Sequence, residues 1–228
     1  MTVTREQNEK KEKQKKAVAL AALEYIAQGG VIGIGSGSTV NCFIEALAAE
    51  KSIRGKIDAV VAASLETEKR IRALSIPVED LNSTGELAIC IDGADEVDDG
   101  RRMIKGGGGA LTREKILATA SKKFICLIDQ AKQVSLLGAF PVAVEVIPMA
   151  RSFVARKIVA LGGRPVLREN FVTDNGNPVL DVYNLKITSP LELEEKLNNI
   201  PGVVGNGIFA ARKADVVLVG TDQGILRL

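Results

Sequence analysis

Short, almost uninterrupted apolar runs alternate with helical patterns from the start of the chain to Asp129, and this alternation limits the folds open to it. The runs lie at residues 31–35, 57–62, 87–91 and 124–128, and a fifth lies near the end at 215–220. Between them, apolar residues recur at helical spacing. In 6–27 the positions are Val18, Ala21, Ala22, Tyr25 and Ile26, three or four apart, and Gly29-Gly30 closes the pattern. Further helices are expected at 40–50, 66–74 and 114–120. A strand that is apolar throughout is buried on both faces, which is the condition of a parallel sheet covered by helices. The expected class is therefore α/β, a doubly wound, mostly parallel, Rossmann-like sheet.

The pattern changes after Pro141. Strand-like runs at 142–147, 164–168, 178–183 and 203–205 are interleaved with helices at 150–161 and 191–197. Gly162-Gly163 ends the first of these helices, and Thr173-Asp174-Asn175-Gly176-Asn177 is a strong hairpin-turn signal. The order β-α-β-β-α-β is that of a ferredoxin-like α+β unit. The run at 215–220 is assigned back to the first sheet. This makes the smaller domain (139–207) an insertion in a catalytic domain formed by 1–138 and 208–228. A chain of 228 residues suffices for such a pair.

Composition removes several functions. Histidine is absent, so imidazole bases, His-containing triads and His-metal sites are excluded, and proton transfer falls to Asp, Glu, Lys, Tyr or Cys. A net charge of +2 offers no excess of positive charge for nucleic acid. No apolar run approaches roughly 18 residues, so no membrane span is expected. Glu24 interrupts the N-terminal apolar pattern where a leader would need small residues. Cys42, Cys90 and Cys126 stand far apart among apolar neighbours, as buried thiols in a reducing compartment do. The expected location is cytoplasmic.

Three segments carry chemistry. Gly33-Ile34-Gly35-Ser36-Gly37-Ser38-Thr39 joins a strand to a helix. It lacks the lysine of a Walker loop and the third glycine of a dinucleotide fingerprint. Outward amides at the helix start, with the hydroxyls of Ser36, Ser38 and Thr39, suit a small phosphate monoester. The plainer alternative is a turn capped by Ser or Thr. Asp92-Gly93-Ala94-Asp95-Glu96-Val97-Asp98 follows a strand, at the sheet edge where ligands of open α/β sheets bind. Asp92 and Asp95 there can bind a metal, bond sugar hydroxyls or share a proton. Glu96, Asp98 and Asp99 read as a solvated acidic loop. In Lys105-Gly106-Gly107-Gly108-Gly109, four successive glycines suit backbone that passes close to a ligand, with Lys105 as an electrostatic clamp. Glu114 follows in the first helical turn. By itself it would read as a complement to the helix dipole, and the glycine loop beside it turns the reading towards function. Lys132, in Asp129-Gln130-Ala131-Lys132, is a weaker candidate for an anion at the same edge.

Together these segments resemble type A ribose-5-phosphate isomerase. The resemblance runs through Gly-Ser-Gly-Ser-Thr at 35–39, Asp-Gly-Ala-Asp-Glu at 92–96, Lys-Gly-Gly-Gly at 105–108 and Ala-Leu-Thr-Arg-Glu-Lys at 110–115. It continues through Asp-Gln-Ala-Lys-Gln at 129–133, Val-Glu-Val-Ile-Pro at 144–148, Leu-Gly-Gly-Arg at 161–164, Val-Thr-Asp-Asn-Gly-Asn at 172–177 and Ile-Pro-Gly-Val-Val at 200–204. It implies interconversion of ribose 5-phosphate and ribulose 5-phosphate, with no metal or redox cofactor. It implies Glu114 as the base between C1 and C2, and Asp92, Asp95 and Lys105 at the reacting end. Ser36, Gly37, Ser38, Thr39 and Lys132 would hold the substrate, mainly its phosphate, with Lys15 assisting. Backbone at Gly93, Ala94, Gly106, Gly107 and Gly108 would line it. A homodimer, or a tetramer of such dimers, is implied as well. Ser36 stands where the family commonly has Thr, and residues 62–67 are poorer in hydroxyls than the family often shows. Two other readings differ in testable features: a sugar-phosphate sensor would have lost the base, and an amino-sugar-phosphate deaminase would use histidine for ring opening.

Overall fold

The computed structural model describes residues 5–26 and 30–228. Ala27 and Gly29, part of the expected first helix and its stop, lie outside the described residues. In chain order the elements are α1 (Arg5–Ala22), a 3-10 turn (Leu23–Ile26), β1 (Gly30–Ile34), α2 (Ser38–Ala49), α3 (Lys51–Arg54) and β2 (Ile57–Ala62). Then come α4 (Leu65–Ala73), α5 (Leu81–Thr84), β3 (Ile89–Gly93), β4 (Glu96–Val97), β5 (Met103–Ile104), α6 (Leu111–Thr119), β6 (Phe124–Asp129) and a 3-10 turn (Gln130–Lys132). The remainder is β7 (Val142–Val146), a 3-10 turn (Pro148–Ala150), α7 (Arg151–Ala160), β8 (Arg164–Leu167), β9 (Val179–Tyr183), α8 (Pro190–Asn198), β10 (Val203–Asn206), β11 (Ile208–Phe209), β12 (Val216–Thr221) and β13 (Gly224–Arg227). Two compact units result: Met1–Gly93 with Ile116–Gln133 and Ala214–Leu228, and Ala94–Lys115 with Val134–Lys213.

The first unit is built on a six-stranded sheet in the order β13-β12-β6-β3-β1-β2. All neighbours are parallel except β12 and β13. β3 and β6 are buried along their whole length, as continuous apolar strands require. Helix α1 buries Gln14, Val18, Ala19 and Ala22, one face at a spacing of three to four, and packs on α2, β6 and β12. Ile32, Phe43, Leu47, Ile71, Ile91, Ile125 and Leu218 share its core. Each such side chain contributes about 1.5–3 kcal/mol by leaving water. From β1 the chain moves outward to β2, then returns to the other side of β1 as β3 and continues to β6. The switch of direction therefore falls between β1 and β3, whose carboxyl ends carry Gly35 and Asp92. Crevices at such points are where open α/β sheets take their ligands.

The second unit holds the antiparallel sheet β10-β7-β9-β8 with α7 and α8, the ferredoxin-like arrangement expected for this stretch. Its core includes Val142, Val144, Val154, Ile158, Val182 and Leu197. It also takes in more chain than residues 139–207, because a second sheet, β11-β5-β4, belongs to it. The carboxylate of Glu96 on β4 accepts from the amides of Gly138 (2.7 Å) and Phe140 (2.5 Å), and Val134 N–H donates to Val97 O. Strands of two residues are too short for any periodicity to mark them. The solvated acidic loop expected for Glu96, Asp98 and Asp99 is thereby corrected at two of its three residues: Glu96 and Asp98 are buried, and Asp98 accepts from the Arg102 side chain at 2.7 Å, while Asp99 is exposed.

Phe43 is completely buried in the core of the first unit. Phe43→Ala is expected to lower the unfolding free energy by about 3–5 kcal/mol in urea titration, as large-to-small core substitutions do. A change below about 1 kcal/mol would show that the site collapses around the loss.

Candidate active site

In the first unit the strand end at Gly35 is held on three sides. Its amide donates to Ile91 O (2.9 Å), and its carbonyl accepts from Thr67 Oγ1 (2.8 Å). The Asp92 carboxyl lies so close that a Cβ on residue 35 would sit 1.8 Å from its Cγ. Only glycine fits there. Asp92 is fully buried at the end of β3, and its Oδ1 accepts from the amides of Ser36 (3.1 Å) and Gly93 (2.7 Å). Thr67 is itself placed by the start of α4, where Ser64 Oγ accepts from its amide at 3.1 Å. So the hydroxyl-poor stretch at 62–67 contributes by supporting Gly35.

The turn then enters α2 through Gly37, which occupies the cap position at φ 94°. A glycine offers no side-chain oxygen, and no side-chain cap bond is made. The alternative of a Ser- or Thr-capped turn is therefore not what the chain adopts. The first-turn amides of Ser38 and Thr39 are left to the partial positive charge of the helix start, which favours an anion.

Lys132 ends the 3-10 turn after β6 and is half-buried. Lys15 on α1 places its Nζ 2.7 Å from Glu12 Oε1, with 14% of its side chain exposed. Nearby, Gln14 donates to Asp222 (2.9 Å) and accepts from the amide of Gln130 (3.3 Å), tying α1 to the ends of β6 and β12. Lys10 also pairs with Asp222, and this hydrogen bond holds the Asp222 carboxyl below its usual range.

The second unit carries the opening segment of α6 and the glycine loop before it. Lys105 follows β5, its amide bonded to Gly207 O at 2.9 Å. Its Nζ lies 3.2 Å from Glu114 Oε2, and the two side chains are 3% and 5% exposed. Glu114 sits in the first turn of α6, its amide bonded to Ala110 O. The loop between them turns twice through positive φ, at Gly106 (107°) and Gly109 (81°). Asp95 accepts from Gly107 N–H at 2.8 Å, while Gly108 is exposed at the tip.

Several contributors to this second set escaped the sequence reading. Arg168 donates to the carbonyls of Gly106 (3.1 Å) and Gly107 (3.2 Å) and is anchored by both oxygens of Asp181. Phe171 lies against Gly109, where a Cβ would come within 2.1 Å of its ring. Lys115 turns to Glu194 (2.5 Å) and Ile208 O (2.6 Å). Burial pushes its ammonium below the usual lysine range, with Glu194 opposing the shift. The Phe209 ring stands 4.7 Å from the Lys115 ammonium and 5.6 Å from that of Lys105. No periodicity signals such residues, because each acts on backbone or on a distant segment.

The structure thus brings Asp92 to the Ser36 turn in the first unit, and Asp95, Lys105 and Glu114 to the glycine loop in the second. Between Gly93 and Ala94 the chain passes for the first time from one unit to the other. Among the described residues no group of three or more Cys, Asp and Glu side chains is arranged to hold a metal ion, and no helix is long and apolar enough to cross a membrane.

Moving a proton between neighbouring carbons of a sugar needs a carboxylate, a cation against the oxygen that gains charge, and an anion cradle for the phosphate. The buried Lys105 and Glu114 and the glycine-entered start of α2 are groups of the kind that an aldose–ketose isomerase uses. Comparison with known proteins narrows the class. Residues 59–224 match the family model for ribose 5-phosphate isomerase A (phosphoriboisomerase A), and the chain belongs to that family. The ribose 5-phosphate isomerase A of Neisseria gonorrhoeae is 44% identical, with 100% of this chain and 98% of that one covered and a TM-score of 0.91. That of Methanocaldococcus jannaschii is 40% identical over 95% and 98% of the chains, at 0.90. A D-ribose-5-phosphate isomerase in complex with phospho-erythronic acid is 39% identical over 96% and 98%, also at 0.90. The enzyme interconverts D-ribose 5-phosphate and D-ribulose 5-phosphate through an enediolate, a step of the non-oxidative pentose phosphate pathway.

Gly35→Ala tests the cradle. The new methyl displaces the Asp92 carboxyl, and kcat/KM is expected to fall about 10- to 100-fold, the scale of small misplacements, with the circular dichroism spectrum retained. Wild-type kinetics would show that the position of Asp92 is not required.

Proposed function

We propose that Glu114 is the base of this isomerisation and that Lys105 stabilises the charge it creates. The observation that carries the assignment is the buried contact of 3.2 Å between Lys105 Nζ and Glu114 Oε2. From the open-chain aldose, the Glu114 carboxylate takes the proton on C2. The C–H electrons form the C1–C2 double bond, and the carbonyl electrons move onto O1. The lysine ammonium meets the developing negative charge in a site shielded from water, where such a contact is strongest. A proton then passes from O2 to O1, assisted by Asp92 and Asp95. Glu114 returns its proton to C1, and the C2 carbonyl of the ketose forms. Ser36, Gly37, Ser38 and Thr39 hold the phosphate, with Lys132 adding positive charge and Lys15 assisting. The backbone of Gly93, Ala94 and Gly106–Gly108 lines the sugar. Remote binding of the phosphate orients C1 and C2 for the transfer.

We also infer that the protein works in the cytoplasm as a homodimer or a tetramer of such dimers. Three buried, unbridged cysteines support a reducing compartment. The exposed apolar side chains of Ile147, Met149 and Phe153 support association of copies.

Glu114→Gln keeps the shape of the side chain and removes the base. Turnover is expected to fall about 10²–10⁴-fold, the range of general-base contributions, while ribose 5-phosphate still binds in calorimetry. Wild-type turnover would remove Glu114 from the role. Activity is further expected to persist in EDTA. Loss in chelator that added metal restores would recast Asp92 and Asp95 as metal ligands.

A further inference from the structure

We propose that Glu145 is a positioning residue for the base, acting through Thr112 to fix the first turn of α6. This deepens the assignment of Glu114 and rests on it. Glu145 lies on β7, an interior strand of the four-stranded sheet, and is fully buried. Its carboxylate accepts from four neutral side chains: Thr112 Oγ1 at 2.5 Å, Thr173 Oγ1 at 2.8 Å, Asn177 Nδ2 at 2.9 Å and Asn175 Nδ2 at 3.1 Å. Burying a carboxylate is costly, and only a full set of donors offsets it. The turn 173–177 bonds mainly to one carboxylate oxygen and Thr112 to the other, so the acid takes all four as donors.

Three of these donors belong to the turn 173–177 and the fourth to α6, two residues before Glu114. The same turn also takes hold of the next residue along. Arg113 Nε donates to Asn175 Oδ1 (2.7 Å), and its terminal nitrogen donates to Asp174 O (2.9 Å). Behind Thr112 stands Gly205, where a Cβ would come within 2.7 Å of the Thr112 hydroxyl. Arg113 is therefore tied to this turn directly and Thr112 through Glu145, and the two ties oppose rotation of the helix start about its axis. The consequence is geometric. A side-chain tip about 6 Å from a helix axis moves about 1 Å for each 10° of rotation. Such a movement is enough to break the 3.2 Å contact between Glu114 and Lys105.

Thr112→Val removes the hydroxyl at constant shape, and Thr112→Ser keeps it. In Thr112→Val, kcat is expected to fall about 10- to 100-fold, the scale of a displacement of about 1 Å, with KM nearly unchanged; Thr112→Ser is expected to restore kcat to near wild type. Glu145→Leu, which removes every acceptor, should reproduce the kcat loss. If that variant does not fold, the Thr112 pair decides. Wild-type kcat in Thr112→Val, or equal losses in both Thr112 variants, would overturn the positioning role whatever happens to thermal stability. Glu114→Gln measured alongside separates the two claims. Full turnover there would sink the base assignment and this inference with it. An inactive Glu114→Gln beside an unimpaired Thr112→Val would sink the positioning role alone.

Discussion

The contact between Lys105 and Glu114 sets the terms for the segment around it. A buried ion pair is weak evidence of stability, because desolvating two charges offsets most of their attraction. Both charges must be placed well for the contact to exist at all. Lys105 is placed by β5, by the bond from its amide to Gly207 O and by the face of Phe209. Glu114 is placed by the first turn of α6. The small three-stranded sheet that carries β5 and the side-chain cluster under α6 are thus parts of one requirement, met by the second unit alone.

The glycine loop between the two residues faces the opposite problem. Four glycines have too much freedom, and a loop that wanders cannot present its amides to anything. Arg168 holds two successive carbonyls, Asp95 holds the Gly107 amide, and Phe171 blocks movement at Gly109. Arg168 is in turn oriented by both oxygens of Asp181 on the neighbouring strand. A flexible sequence becomes an ordered loop because a packed antiparallel sheet supplies the rigidity the glycines lack. On the assignment of Glu114 proposed here, the ferredoxin-like module serves the chemistry through Arg168, Phe171 and Glu145.

Legibility followed the range of the physics involved. The strands of the large sheet were readable because burial on both faces writes itself as a run of apolar letters, as in Phe124–Asp129. The β-α-β-β-α-β order was readable from turn chemistry such as Gly162-Gly163 and Asn175-Gly176. β4, β5 and β11 were not, since two residues show no period. Glu96 and Asp98 looked solvated because nothing local announces that distant amides or a neighbouring arginine will take up a carboxylate. The candidate segments were visible as glycine turns and strand-end acids, but the reasons for their placement were not. Gly35 needs to be glycine because of Asp92, 57 positions further on, and Thr67 serves Gly35 from the first turn of α4. Glu145 and Arg168 act across tens of residues, and only the folded chain shows what they touch.

The absence of histidine gives the placement of Glu114 its particular weight. An imidazole can take up a proton at one nitrogen while the other is held, so orientation and reactivity are carried by different atoms. A carboxylate acting alone must do both with one group, on the assignment proposed here. It has to reach C2 and then the adjacent C1 without leaving the cation beside it. Small errors in helix rotation are then errors in the chemistry itself. A base fixed through the helix that bears it, by a buried acid two residues removed in the chain of contacts, meets that demand without crowding the substrate.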